Sequence, residues 1–152
     1  MSLLDTLVHE FQKEVFLIST EKSKLDIDVI HEYLSKRSYW AENIPRDIIE
    51  RSIQNSLCFG IYHNNNQIGF ARVVTDFATF GYLGDVFILE EYRGQGLSKW
   101  LMDCIFNKIP ELQGFRRWSL ATADAHGLYE QFGFTALARP ERMMEKINFT
   151  KY

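Results

Sequence analysis

Two places along the chain hold residues whose type and spacing suit chemistry. The first is Arg93-Gly94-Gln95-Gly96-Leu97-Ser98-Lys99. An apolar run, Tyr82 to Leu89, precedes it, too continuous for a half-exposed edge strand. After it, Leu97, Trp100, Leu101, Cys104 and Ile105 recur on one helix face. Glycine at 94 and 96 allows positive φ and lets a ligand approach the main chain without a Cβ in the way. A strand, a glycine turn and a helix start aim several N–H groups at one point. The positive end of the helix dipole lies there too, which suits phosphate. The second place is Asp85, a lone carboxylate inside the apolar run. Burying it unpaired is costly. Either it faces a cleft, as a general base or a ligand for a cationic amine, or it pairs with Arg72 of the preceding strand.

Known phosphate turns narrow the first reading. A P-loop ends in Gly-Lys-Ser/Thr, whereas Leu97 and Ser98 follow Gly96. A dinucleotide fingerprint needs a third glycine for close helix–strand packing, and Lys99 stands at that position. What remains is Arg-x-x-Gly-x-small, carried by Arg93, Gly96 and Ser98. Downstream comes Ala125-His126-Gly127-Leu128-Tyr129-Glu130-Gln131-Phe132-Gly133-Phe134. Taken alone, this is a helix stopped by glycine, with Tyr129 a core aromatic. Together, and in this order, the two segments resemble the Gcn5-related N-acetyltransferase (GNAT) family. The second matches that family's Ala-x-x-Leu-Tyr-x-x-x-Gly-Phe pattern. The resemblance runs from about Leu57 to the C-terminus.

The resemblance implies a GNAT-like α/β fold, a single domain over residues 1–152 with a mixed, mostly antiparallel sheet flanked by helices. It implies acetyl-coenzyme A as donor, with Arg93, Gly94, Gln95, Gly96, Leu97, Ser98 and Lys99 around its pyrophosphate. Backbone groups of Phe87, Ile88 and Leu89 would bind the thioester oxygen and pantetheine arm. Thr122 stands where the family often has an asparagine facing that arm. A neutral amine would attack the thioester directly, and Tyr129, a phenol protonated at neutral pH, would donate to the departing sulfur. Tyr39, Trp40, Arg72, Asp76 and Asp85 are the candidates for the acceptor pocket, the first two through cation–π contact. His126 is a second candidate base; the alternative roles are Trp40 as a core plug, Arg72 and Asp76 as a strand's exposed end, and His126 as an exposed or locally hydrogen-bonded helix-start residue. The expected acceptor is a small-molecule amine. An acyl-coenzyme A sensor and a peptide N-acetyltransferase are the competing readings. Family members are often dimers, so a homodimer is among the expectations.

Composition sets the wider bounds. A chain of 152 residues can bury a real core. Its 17 basic and 20 acidic residues give a net charge of −3, which gives no electrostatic basis for nucleic acid as partner. Cys58 and Cys104 sit apart in apolar surroundings and read as reduced core residues. With no membrane-length apolar run and no signal-peptide pattern, the expected location is cytoplasmic. No His/Cys/carboxylate spacing suggests a metal site.

The elements that must position these residues follow from periodicity and turn chemistry. An amphipathic helical lead-in is expected over Met1–Gln12, a strand over Val15–Ser19, and helices over Asp26–Lys36 and from Pro45 through Ile53. Strands Leu57–His63 and Gln67–Thr75 should form a hairpin about Asn64-Asn65-Asn66. The helix after the glycine turn should end near Asn107. A strand Arg117–Thr122, a helix Asp124–Phe132 and a last pair of strands, Phe134–Leu137 and Met143–Ile147, complete the expectation.

Overall fold

The structure, a computed structural model, describes residues 2–152. Six strands make one sheet in chain order: β1 (Glu10–Lys13), β2 (Phe16–Ser19), β3 (Leu57–His63), β4 (Asn66–Thr75), β5 (Phe80–Ile88) and β6 (Arg117–Leu120). Neighbours from β1 to β5 are antiparallel, and β5 and β6 are parallel. The helices are α1 (Leu3–Thr6), α2 (Ile27–Lys36), α3 (Arg46–Gln54), α4 (Leu97–Asn107) and α5 (His126–Glu130).

Both faces of the sheet are covered, which is why β3 and β4 read as continuous apolar runs. On one face Ile30, Leu34, Ile49 and Ile53 of α2 and α3 pack over Cys58, Phe70 and Phe87. On the other, Leu101, Cys104 and Ile105 of α4 pack over Phe59, Ile61, Ala71, Val73 and Leu83. The β3–β4 turn takes positive φ at both Asn64 (50°) and Asn65 (67°), the conformation a two-residue hairpin requires. Asp26 caps α2 by accepting from the Val29 N–H at 3.2 Å.

Two expectations fail at the ends of the chain. The helical lead-in over Met1–Gln12 shortens to α1, and Glu10–Lys13 pairs with β2 instead; Met1 itself lies outside the described residues. A helix of that length is marginal in water, and the ladder to β2 gives one side of this segment's backbone its partners instead. At the other end, neither Phe134–Leu137 nor Met143–Ile147 forms a strand. That segment carries only a single 3₁₀ turn at Pro140–Arg142, and β6 pairs on one side alone.

The feature that shapes the cleft is a bulge in β5. Arg72 pairs with Gly84 and Phe70 with Phe87, so β5 spends one more residue than β4 across this interval. Asp85 absorbs it at φ +55°, a left-handed conformation unusual for a residue with a side chain. Regular strand alternation would put Leu83, Asp85 and Phe87 on one face, and the bulge breaks it. Leu83 joins the core under α4, whereas Phe87 joins the core under α2 and α3. Pairing between β5 and β6 stops at Leu83 and Leu120. Beyond those residues the two strands part, leaving the rest of β5 without a neighbour on that side.

Candidate active site

The opening between β5 and β6 is a cleft of about 470 Å³. Tyr82 to Val86 form one wall, Leu120 to Ala125 with Tyr129 the other, and Tyr39, Trp40 and Arg72 the roof. The roof is fastened at two points. Tyr39 Oη accepts from the Ala123 N–H at 2.9 Å, and Trp40 Nε1 donates to Asp85 Oδ1 at 2.9 Å. The two rings meet edge to face with centroids 5.0 Å apart. Arg72 Nε donates to the other oxygen, Asp85 Oδ2, at 2.8 Å, and its Nη1 donates to Ser56 Oγ at 3.1 Å. Asp85 is therefore both paired and cleft-lining, so the two sequence readings describe one residue. The bulge explains how: it turns the carboxylate out of the strand's alternation toward the α2–α3 loop.

Tyr129 is buried in the opposite wall, its ring against Phe134 at 6.0 Å. Burial, with Tyr39 and Asp124 nearby, pushes the phenol up to about 12. No group of the described residues holds its hydroxyl, which stays proton-bearing at neutral pH and faces the cleft.

The glycine turn lies at the N-terminus of α4. Gly94 and Gly96 take φ of +81° and +80°, and Gly96 caps the helix. The first bond of α4 joins the Trp100 N–H to the Gly96 carbonyl at 3.0 Å. The amides from Gly94 to Lys99 precede it and have no partner among the described residues. A Cβ at either glycine would meet nothing within 4 Å, so the space before these amides is open. Chemically the turn is a row of donors at the positive end of an eleven-residue helix, and the cleft sets a phenol on one side and a carboxylate on the other.

Comparison with known proteins identifies the family. Residues 54–136 match the Acetyltransferase (GNAT) domain family. The chain belongs to the GNAT acetyltransferase family. A protein of Gibberella zeae assigned as an acetyltransferase is 31% identical over 133 residues, covering 75% of each chain. A crystal structure of a protein assigned to the GNAT acetyltransferases, from Xanthomonas campestris pv. campestris, is 52% identical with a TM-score of 0.84. It covers 87% of this chain and 92% of its own. Spermidine N-acetyltransferase of Vibrio cholerae, solved with CoA and spermine, shares the fold at 18% identity, with a TM-score of 0.63 over 81% of this chain and 82% of its own.

As a GNAT site, the arrangement differs from the sequence reading at three residues. Arg93 commits Nε to the Ile88 carbonyl at 2.9 Å and Nη2 to Tyr33 Oη at 2.8 Å, so it ties the end of β5 to α2. Tyr33 in turn stacks on Phe87 at 4.0 Å. Leu89 spends its N–H on the Ile68 carbonyl at 2.8 Å, which removes that amide from the cleft. Asp76 does not reach the cleft at all. Its carboxylate accepts from the N–H groups of Ala78, Thr79 and Phe80 and from the Thr79 hydroxyl, closing the β4–β5 loop. Thr122 lines the cleft, and its Oγ1 accepts from the Ala125 N–H at 3.0 Å at the start of α5. Tyr82, Asp124 and Ser56 complete the site without having been singled out. Tyr82 is hidden in an apolar run and Asp124 at a helix start, so neither stands out from its neighbours in the sequence.

Proposed function

We propose that this GNAT protein is an acetyl-coenzyme A-dependent N-acetyltransferase acting on the amine of a small molecule. The observation that carries the reading is the cleft itself: a partnerless phenol and a carboxylate face one opening, in a chain that also carries a row of free amides at the start of α4. Those amides, from Gly94 to Lys99, suit a pyrophosphate, and the open space over Gly94 and Gly96 fits its approach. When bound, acetyl-coenzyme A supplies an activated acyl group and a thiolate leaving group. The unpaired edge of β5 beyond Leu83 offers main-chain donors where charge develops on the thioester oxygen.

Tyr129 serves as the acid. Its hydroxyl donates to the sulfur as the carbon–sulfur bond breaks, and the proton shed by the acceptor nitrogen restores the phenol through solvent. A free thiol titrates near about 8.5, below Tyr129, so the proton passes fully only as the nitrogen loses its own.

Asp85 acts in acceptor binding. Each of its oxygens already accepts one hydrogen bond, from Arg72 or Trp40, and keeps a second lone pair for an ammonium. With Arg72 neutralised by this pair, exposed Asp124 leaves the cleft acidic, and Tyr39, Trp40 and Tyr82 offer π faces to a cation.

The test is thermal unfolding with acetyl-coenzyme A, with NAD and ATP as controls, followed by thiol release across a panel of amines and peptides. Ligand at a hundred times its Kd stabilises the fold by about 2.7 kcal/mol. The expected result is a shift with acetyl-coenzyme A alone and thiol release with small amines. A shift with no release from any acceptor would make the protein a binder, and release with peptides alone would move the acceptor class.

A further inference from the structure

Arg72 and Asp85 meet by half of a fork. A guanidinium presents Nε and Nη2 along one edge, spaced for the two oxygens of a carboxylate. Here Asp85 takes only Nε, through Oδ2 at 2.8 Å, while Trp40 Nε1 holds Oδ1 at 2.9 Å. Nη1 is spent on Ser56 Oγ at 3.1 Å, and Nη2 donates to nothing among the described residues. The only buried side-chain nitrogen or oxygen left without a partner there is Tyr62 Oη. Nη2 is therefore open, in a residue that lines the cleft. A free pair of N–H donors stands directly beside a carboxylate that keeps lone pairs of its own.

The floor in front of that donor is Gly84, which pairs with Arg72 across β4 and β5. Nothing in the fold asks for glycine there. The bulge takes its left-handed residue at Asp85, and the φ of Gly84 is not positive. A Cβ at Gly84 would meet Tyr82 Cε1 at 3.4 Å, Tyr82 Cδ1 at 3.9 Å and Arg72 Nη2 at 4.0 Å, all ordinary contacts. Glycine inside a strand weakens it, and one that is neither turned nor crowded marks a place where something else comes close. What the missing side chain leaves is an open floor between the Tyr82 ring and Nη2, in the wall of the cleft. Tyr39, Trp40 and Tyr82, all exposed, supply apolar rings to the same opening.

The geometry points to a free α-amino acid with an apolar or aromatic side chain as the acceptor, a refinement that rests on the N-acetyltransferase reading above. Its ammonium meets Asp85, its carboxylate lies over Gly84 against Nη2, and its side chain packs among Tyr39, Trp40 and Tyr82. An α-amino acid carries its two charges on one carbon, just as the free donor and the carboxylate stand side by side here. A plain amine would leave Nη2 unmatched, and a peptide N-terminus has a neutral amide in place of the carboxylate. Asp124 belongs to the opposite wall, and a zwitterion brings no net charge for it to repel. In the transfer the ammonium gives one proton to water, and the nitrogen lone pair forms the amide bond as the carbon–sulfur bond breaks. The sulfur leaves as a thiol with the Tyr129 proton, and the second nitrogen proton restores the phenol. The product, an N-acetyl amino acid, has lost its ammonium. It is an anion facing Asp85 and Asp124, which favours its release.

Calorimetry with matched ligands, on the full chain in the presence of coenzyme A as the unreactive form of the donor, tests this. L-Phenylalanine and L-leucine should bind about tenfold or more tightly than phenethylamine, isopentylamine and phenylalaninamide. In thiol release from acetyl-coenzyme A, kcat/KM should keep the same order. Gly84→Ala places a methyl on the floor without a clash. It should keep the Tm and the thermal shift with acetyl-coenzyme A, while the ratio of phenylalanine to phenethylamine affinity falls toward one. That ratio is the readout, because a general loss of structure lowers both affinities together. Trp40→Phe frees Oδ1 to close the fork on Nη2, and should level the ratio too. Amines that bind as tightly as their amino acids, a ratio unchanged in Gly84→Ala, or no binding of either amino acid at millimolar concentration would each overturn the proposal. A missing thermal shift with acetyl-coenzyme A would instead sink the transferase reading, and the comparison of amino acids with amines would still decide this one.

Discussion

Trp40 and Asp85, forty-five residues apart in the chain, are joined by one hydrogen bond of 2.9 Å from the indole nitrogen to the carboxylate. The bond fixes the α2–α3 loop to the bulge in β5, and so sets the height of the roof over the cleft. Arg72 holds the other oxygen, with both partners largely covered. Asp85→Asn therefore removes a charge from a shielded pair and leaves a guanidinium uncompensated. The expected cost is about 1–3 kcal/mol, a Tm lowered by several degrees for a chain of this size. The acceptor KM should rise more than kcat falls. Steady-state kinetics decides between roles: a collapse of kcat with normal acceptor KM would mean that Asp85 is the base. Trp40→Phe, which keeps a ring and loses the bond, should reproduce the KM effect in milder form.

Tyr129→Phe keeps the ring that packs on Phe134 and removes only the hydroxyl. The fold and the stabilisation by acetyl-coenzyme A should be unchanged, while turnover falls about 10²- to 10³-fold. Unaltered turnover would remove Tyr129 from the chemistry. The raised phenol also has an alkaline signature. Between pH 10 and about 12 the unfolded chain has lost this proton while the folded one retains it, so stability falls as pH rises through that window. Wild type and Tyr129→Phe should have equal Tm below pH 10 and diverge above it, with wild type the less stable.

Much of this was legible in the sequence where local chemistry and tertiary structure agree. Gly94 and Gly96 announce a turn because only positive φ suits the path into α4, and both adopt it. Asn64 and Asn65 announce a hairpin for the same reason. What was not legible depends on partners far away in the chain. Nothing near Arg93 says that its guanidinium will reach Tyr33, sixty residues earlier. Asp76 looks like a pocket residue until its own loop folds around it. Asp85 breaks the period-two rule because a bulge is a property of two strands together. The last two strands were read from β patterning alone, yet a strand also needs an edge to pair with, and neither segment pairs among the described residues.

Gly96→Val separates the two demands on the glycine turn. A β-branched residue at φ +80° is strained, and the expected cost is about 1–3 kcal/mol. The branched side chain would also stand in the open space before the α4 amides, so the thermal shift with acetyl-coenzyme A should vanish. Gly114 supplies the control: its φ of +82° brings the same strain at a site remote from the turn. Gly114→Val should lose comparable stability and keep the full ligand shift. Equal ligand shifts in both variants would mean that the turn does not bind the coenzyme.

Asp76 gives the protein an acid-sensitive loop. Hydrogen bonds from the Thr79 hydroxyl and from the amides of Thr79, Ala78 and Phe80 hold its carboxyl well below the ordinary value of 3.8. As pH falls past that value the unfolded chain takes up the proton first, so the unfolded state binds more protons and stability drops. The contribution is thus complete above pH 3.8 and is lost progressively below it. Asp76→Ala should have a lower Tm than wild type at pH 7, with the gap narrowing as the pH falls from about 4 toward 2. Activity toward the acceptor, measured near neutrality at a temperature well below both transitions, should be nearly unchanged, because Asp76 faces its own loop. A gap that stays constant with pH would show that the side chain's charge does not hold the loop, and a large rise in acceptor KM would return Asp76 to the pocket.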